Sequence, residues 1–128
     1  MTDEQIALAR RAVACRGWKW MPGVLTDRGD RVVTVSRDNY TRMYDPNRFY
    51  TSATYNMTVL PDLTDPATLG CLLAMVREAW SMPMGITLSY SFGESLWNVV
   101  WEDSKHGGWC GRGKTEAEAL VDALGSAP

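Results

Sequence analysis

Residues 65–101 decide the fold class: DPATLGCLLAMVREAW (65–80) is followed, after a break at Met82-Pro83, by ITLSYSFGESLWNVVW (86–101). In the first stretch Asp65 can cap a helix, and Pro66 sits at the first helical position, where no N–H is needed. Leu69, Leu72, Leu73, Val76 and Trp80 then repeat at helical spacing. In the second stretch Ile86, Leu88, Tyr90 and Phe92 alternate with Thr87, Ser89 and Ser91, and Trp97, Val99 and Trp101 share a face. Gly93-Glu94-Ser95 joins two strands as a hairpin. A capped helix beside paired strands excludes an all-α or all-β chain.

Working outward, the same signals recur. Towards the C-terminus, Trp109 to Arg112 reads as a short strand. Thr115 to Glu118 is a capping box opening a last helix, with Leu120, Val121 and Leu124 inward and Gly125 at its end. Towards the N-terminus, Thr2-Asp3-Glu4-Gln5 is another capping box. Ile6, Ala9 and Val13 lie on one helical face, and Gly17 ends the helix. Trp18-Lys19-Trp20 alternates like a strand, Met21-Pro22-Gly23 turns it, and a short Val24-Leu25 strand precedes the turn Asp27-Arg28-Gly29-Asp30. Arg31 to Val35 is a strand. Phe49, Thr51, Ala53, Tyr55, Met57 and Val59 alternate with Tyr50, Ser52, Thr54, Asn56 and Thr58, a period-2 pattern of β-formers, with Asp45-Pro46-Asn47 as a turn. The expected architecture is α+β: a mostly antiparallel sheet covered by helices, α-β-α sandwich-like, with a long β-hairpin inserted at 31–59. At 128 residues the chain fits one domain, 1–128.

Composition narrows function. The net charge of −2 disfavours DNA held by counterion release. Residues 1–60 carry nine basic against six acidic side chains and residues 61–128 four against nine, so the first half suits an anionic small ligand. Cys15, Cys71 and Cys110 are odd in number and lack the paired spacing of a disulfide framework or zinc site. Reduced thiols, the absence of a basic-then-apolar leader and the lack of an apolar run near ~20 residues predict a cytoplasmic protein with no membrane partner.

Gly108-Trp109-Cys110-Gly111-Arg112-Gly113-Lys114-Thr115 matches G-x-x-x-x-G-K-T, the phosphate loop of nucleoside triphosphatases. That loop needs a buried parallel strand before it, and here Glu102 to Gly107 is polar hairpin material. Only thirteen residues follow, too few for a strand bringing a magnesium-binding aspartate. The match reads as a decoy. What survives is a candidate anion site at Arg112, Lys114 and Thr115, against the plainer reading of a capped surface helix. His106 is the single histidine, near Asp103 and Cys110, but a Gly107-Gly108 turn is a poor platform for a nucleophile–base pair. Glu102 and Asp103 are adjacent and would point to opposite strand faces. No catalytic residue, metal ligand or cofactor is expected, and the chain reads as a non-enzyme.

The best functional candidate is the Tyr-rich stretch from Arg37 to Asn56. Tyr provides contact area at low entropy cost, with Asn, Ser and Thr as adaptable hydrogen-bonding groups. Arginines pair with phosphate bidentately while rings stack on bases. Arg37, Tyr40, Arg42, Tyr44, Arg48, Tyr50 and Tyr55 are therefore the candidate ligand-binding residues. The competing reading is that β-propensity alone enriches Tyr and Thr, or that the hairpin forms a homo-oligomer interface. The six tryptophans sit in or beside periodic segments and read mainly as core.

Three stretches together, Gly17-Trp18-Lys19-Trp20-Met21-Pro22-Gly23, Leu60-Pro61-Asp62-Leu63-Thr64-Asp65-Pro66-Ala67-Thr68-Leu69-Gly70-Cys71-Leu72-Leu73, and Gly111-Arg112-Gly113 with the 115–124 helix, resemble small uncharacterised proteins of tailed phages and prophages and their α-β-α sandwich domain. The resemblance covers the first twenty or so residues and everything after residue 60, leaving the middle hairpin unmatched. It implies an accessory protein acting in an infected or lysogenic bacterium, of a kind that often counters host defence. The expected function is sequestration of a small anionic, nucleotide-like molecule. The alternatives are an inhibitor or interaction module directed at a host defence protein, and a small nucleotide-processing enzyme using the 108–115 loop.

Overall fold

The computed structural model describes residues 1–35, 40–45, 49–54, 59–82, 85–101 and 108–128, and the side chains of these residues apart from those at 34–58. The elements are α1 (Asp3–Ala14), β1 (Arg31–Val35), β2 (Tyr40–Asp45), β3 (Phe49–Thr54), α2 (Pro66–Ala79), β4 (Ile86–Ser91), β5 (Leu96–Trp101), β6 (Trp109–Gly113) and α3 (Glu116–Gly125). The chain is α+β, and among the described residues the sheets β1-β2-β3 and β4-β5-β6 are antiparallel. Backbone packing groups the residues into two compact units, one of Met1–Val13 with Lys19–Cys71 and one of Ala14–Trp18 with Leu72–Pro128.

In the first unit, α1 starts as the capping box dictates. Gln5 N–H donates to Thr2 Oγ1 at 3.1 Å, and Thr2 N–H donates to Gln5 Oε1 at 2.9 Å. Ala9 and Ala12 are fully buried. The turn at 27–30 closes as its residues require: Thr26 N–H donates to Asp30 O at 2.8 Å, and Gly29 takes a φ of 87°. Trp20, Val24, Val32, Val59 and Leu63 are buried in this unit.

Two expected strands are not formed. Trp18–Trp20 is irregular, because Trp18 N–H bonds back to Cys15 O at 3.0 Å as the end of the helical turn. Val24-Leu25 is reduced to an isolated bridge from Leu25 to Arg31. Here Val24 N–H goes to Met21 O, and Leu25 N–H is taken by the Thr68 hydroxyl at 2.9 Å rather than by a neighbouring strand.

In the second unit, β5 is the central strand and α3 packs on β6 and β5. Two glycines set that distance. A Cβ on Gly111 would lie 2.4 Å from Ala119 O and 2.5 Å from Ala123 N, and one on Gly113 would lie 2.4 Å from Glu118 Cβ. The strand thus lies directly on the helix backbone. Ile86, Val99, Leu120 and Val121 are buried to within 1%, each contributing about 1.5–3 kcal/mol. Trp80 crosses the unit, its Nε1–H donating to Ala123 O at 2.8 Å and its ring meeting Trp101 edge-on at 5.6 Å.

The β4–β5 connection is one residue longer than the expected Gly93–Ser95 turn. The ladder ends at the Ser91–Leu96 pair, so Phe92 belongs to the turn and is 87% exposed. The helix α2 ends at Ala79, ahead of the expected Met82-Pro83 break, whose Pro83 lies outside the described residues. Ser81 adopts a left-handed conformation at φ 54°, and Met82 N–H reaches back to Arg77 O at 2.8 Å.

Candidate functional site

The Tyr/Arg stretch forms β2 and β3, and its geometry follows from the pairing register. Arg31 pairs with Tyr44, which pairs with Tyr50; Thr34 pairs with Arg42, which pairs with Ser52; and Tyr40 pairs with Thr54. Paired residues lie on one face of a sheet, and alternate residues of a strand share that face. Tyr40, Arg42, Tyr44, Tyr50, Ser52 and Thr54 therefore occupy a single face, together with Arg31. The other face carries Val32, Met43 and Thr51 in register, and Val32 is buried to 2%. A bulge between Val32 and Thr34 leaves Val33 without a partner and shifts the register of β1 against β2 by one residue. Four of the seven candidate ligand-binding residues are thus brought together. Arg37, Arg48 and Tyr55 lie outside the described residues, as do the Asp45-Pro46-Asn47 turn beyond Asp45, His106 and Asp103.

Arg31 is anchored at one edge of this face. Its guanidinium donates to Asp65 Oδ2 at 2.9 Å, to Asp65 Oδ1 at 3.1 Å and to Gly23 O at 2.8 Å. Asp65 is also the N-cap of α2, accepting from Thr68 N–H at 2.9 Å and from the Thr68 hydroxyl at 3.0 Å. The bond from Arg31 holds the Asp65 carboxyl well down, at about 2, and Asp65 in turn raises the pKa of Arg31. The Arg31 charge is therefore neutralised within the fold.

The second candidate, Arg112, Lys114 and Thr115, sits at the junction of β6 and α3. The G-x-x-x-x-G-K-T stretch runs as strand β6, antiparallel to β5, and not as a loop leaving a parallel strand. Its N–H groups meet internal carboxylates: Arg112 N–H donates to Asp122 Oδ2 at 2.9 Å and Lys114 N–H to Glu118 Oε2 at 2.8 Å. Thr115 Oγ1 accepts from Glu118 N–H at 3.1 Å, the expected cap. The Arg112 guanidinium bonds Asn98 Oδ1 at 2.8 Å, pairs with Glu94 and lies 4.7 Å over the Trp109 ring. Gly113, the second glycine of the motif, together with Gly111 instead allows β6 to touch α3.

Comparison with protein-family models, curated proteins and solved structures returns no match.

Sequence reading passed over one surface feature. Tyr90, Phe92 and Trp97 form an aromatic cluster around the β4–β5 turn, with centroids 4.9 Å apart for Tyr90–Phe92 and 5.1 Å for Tyr90–Trp97. The alternation from Ile86 places Phe92 in the strand, whereas the ladder leaves it in the turn; a large apolar residue immediately before Gly93 is the sequence signal for it. Of the tryptophans, read mainly as core, Trp109 is an exception at 50% exposed. Among the described residues no group of three or more His, Cys, Asp or Glu is placed to hold a metal. The buried thiols are subdued: burial raises the pKa of Cys110 to about 11 and raises that of Cys71.

Proposed function

We propose that the chain is a non-enzymatic accessory protein of phage or prophage origin that binds and sequesters a small anionic, nucleotide-like molecule in the bacterial cytoplasm, in the service of counter-defence. The supporting observation is the single face shared by Tyr40, Arg42, Tyr44 and Tyr50 in the β2–β3 register. Rings stack on bases, and a guanidinium holds phosphate through paired hydrogen bonds. A binder that only sequesters needs affinity and no acid–base pair, so capture is tested by what remains bound.

Native mass spectrometry of protein purified from signal-producing cells should show a bound nucleotide of unchanged mass. The adduct should disappear when Tyr40, Arg42 and Tyr44 are all replaced by alanine. An empty protein, a chemically altered nucleotide, or an adduct that survives the triple substitution would each count against this reading.

A second reading, inhibition of a host defence protein, is favoured by Phe92, whose exposed ring stands edge-on to Tyr90. It calls for a stoichiometric host protein in pull-downs, lost in Phe92→Ser.

A further inference from the structure

The two edges of the β4-β5-β6 sheet differ in how their backbone groups are used. On the β6 edge the outward donors are taken internally, Arg112 N–H by Asp122 and Lys114 N–H by Glu118. A bulge between Val99 and Val100 also interrupts the β5–β6 ladder. The β4 edge, Ile-Thr-Leu-Ser-Tyr-Ser from Ile86 to Ser91, has no charge, no proline and no break in its ladder. Charges, prolines and bulges ordinarily keep a sheet edge from pairing with another chain. Independently of the ligand-binding reading, we propose that β4 pairs antiparallel with β4 of a second copy, joining the two β4-β5-β6 sheets into one.

The direction of the β4 backbone groups follows from its neighbours. Trp101, opposite Ile86 in the ladder, gives its N–H to Gly108 O on the β6 side at 3.2 Å. Ile86 therefore turns its own groups away from β5, and its C=O accepts from Arg77 Nε at 3.0 Å. Backbone groups alternate sides along a strand, so the N–H and C=O of Leu88 and of Tyr90 also point off the edge. Among the described residues nothing pairs with them. Ser89 and Tyr90 lie on opposite faces and both are exposed, which leaves the edge open from either side.

The strand complements itself in one register, and this identifies a second copy as the occupant. With the twofold axis at Ser89, Leu88 of each copy stands opposite Tyr90 of the other, each such pair exchanging two backbone hydrogen bonds. A register centred on Leu88 would need Ile86 C=O, which Arg77 already holds. On one face Leu88 then meets Tyr90. On the other, Thr87 meets Ser91 and Ser89 meets its own counterpart, so apolar faces apolar, hydroxyl faces hydroxyl and no like charges are opposed. Phe92, 87% exposed, is carried alongside the start of the partner strand. A contact one strand wide buries less than a standard interface, so the dimer is weak and reversible.

The test is sedimentation velocity of the whole protein from about 10 µM to about 1 mM, over which the average mass should rise towards that of a dimer. Leu88→Pro removes a donor that the β4–β5 ladder does not use, so the fold is kept while association weakens roughly tenfold or more. Ser89→Lys and Ser89→Glu each oppose like charges at the centre of the pairing and should stay monomeric. An equimolar mixture of the two should restore the dimer, because the charges are then opposite. Circular dichroism checks the fold of every variant. A chain that stays monomeric at every concentration would overturn the proposal, leaving the edge to a strand of some other protein. Dimerisation unchanged in Leu88→Pro or in either Ser89 variant would overturn it by placing the contact elsewhere. A mixture of the Ser89 variants that stays monomeric would overturn it as well.

Discussion

Asp65 carries three tasks with one carboxylate: it caps α2, accepts two bonds from Arg31 and holds the Thr68 hydroxyl that receives Leu25 N–H. Its capping role was legible from Asp-Pro-Ala-Thr, because a cap depends on neighbours three residues away. Its partnership with Arg31, 34 residues earlier, was not, since no local pattern reports so distant a pair. The Asp65 pKa is lowered to about 2 in the folded chain and lies near 4 in the unfolded one, so the unfolded chain binds the proton first as pH falls. The stability this provides is present above about pH 4 and lost between about pH 4 and 2, amounting to about 1–2 kcal/mol once solvent screening of the part-exposed Arg31 is allowed for. Asp65→Asn should therefore lower stability at pH 7 by about 1–2 kcal/mol and flatten the acid limb of a urea-denaturation series. A variant with an unchanged acid limb would show that the pair contributes nothing. Gly111 is the other residue with a sharp outcome. Gly111→Ala drives a methyl into the α3 backbone and should cost about 3 kcal/mol or more, read as a fall in Tm or loss of soluble protein.

At the scale of elements, the capping boxes of α1 and α3 were read from four-residue signals and formed as expected. The alternation in β3 was read equally well, because period-2 patterning depends only on the strand itself. The hairpin pairing of β3 with the stretch before Asp45-Pro46-Asn47 was legible from that turn, but the register across β1, β2 and β3 could not be read this way. Register depends on which strand lies alongside, and a one-residue slip would move Tyr40, Arg42 and Tyr44 to the other face. Met82-Pro83 was the expected stop of α2, and Pro83 lies outside the described residues; the turn before it is made by Ser81 at positive φ, which no residue type in the sequence announces. A side chain in that conformation is strained relative to glycine. Ser81→Gly should accordingly raise stability by about 0.5–1 kcal/mol, visible as an upward shift of the denaturation midpoint with an unchanged slope. A decrease would mean the Ser81 side chain stabilises the turn.

For the whole molecule, the three thiols report how burial is distributed. Cys71 and Cys110 are buried, with pKa values raised by burial, while Cys15 is half-buried. In native protein at pH 8 a maleimide should label Cys15 first, with Cys71 and Cys110 protected until denaturant is added; equal rates would contradict the burial pattern. The aromatic load divides in a way that composition could not foretell. Trp18 and Trp20 are buried to 8% exposure, whereas Trp109 and Phe92 face outward.

The chain's own order of residues determined its α+β class, its helix starts, its strand periodicity and where its Tyr and Arg residues cluster. These are local properties, set by spacing along one stretch of backbone. Tertiary structure decided which strands lie side by side, that Arg31 is spent on Asp65, and that Gly111 and Gly113 admit a helix rather than a phosphate. Each of those depends on distances between residues far apart in the chain, which only the packed fold brings within reach.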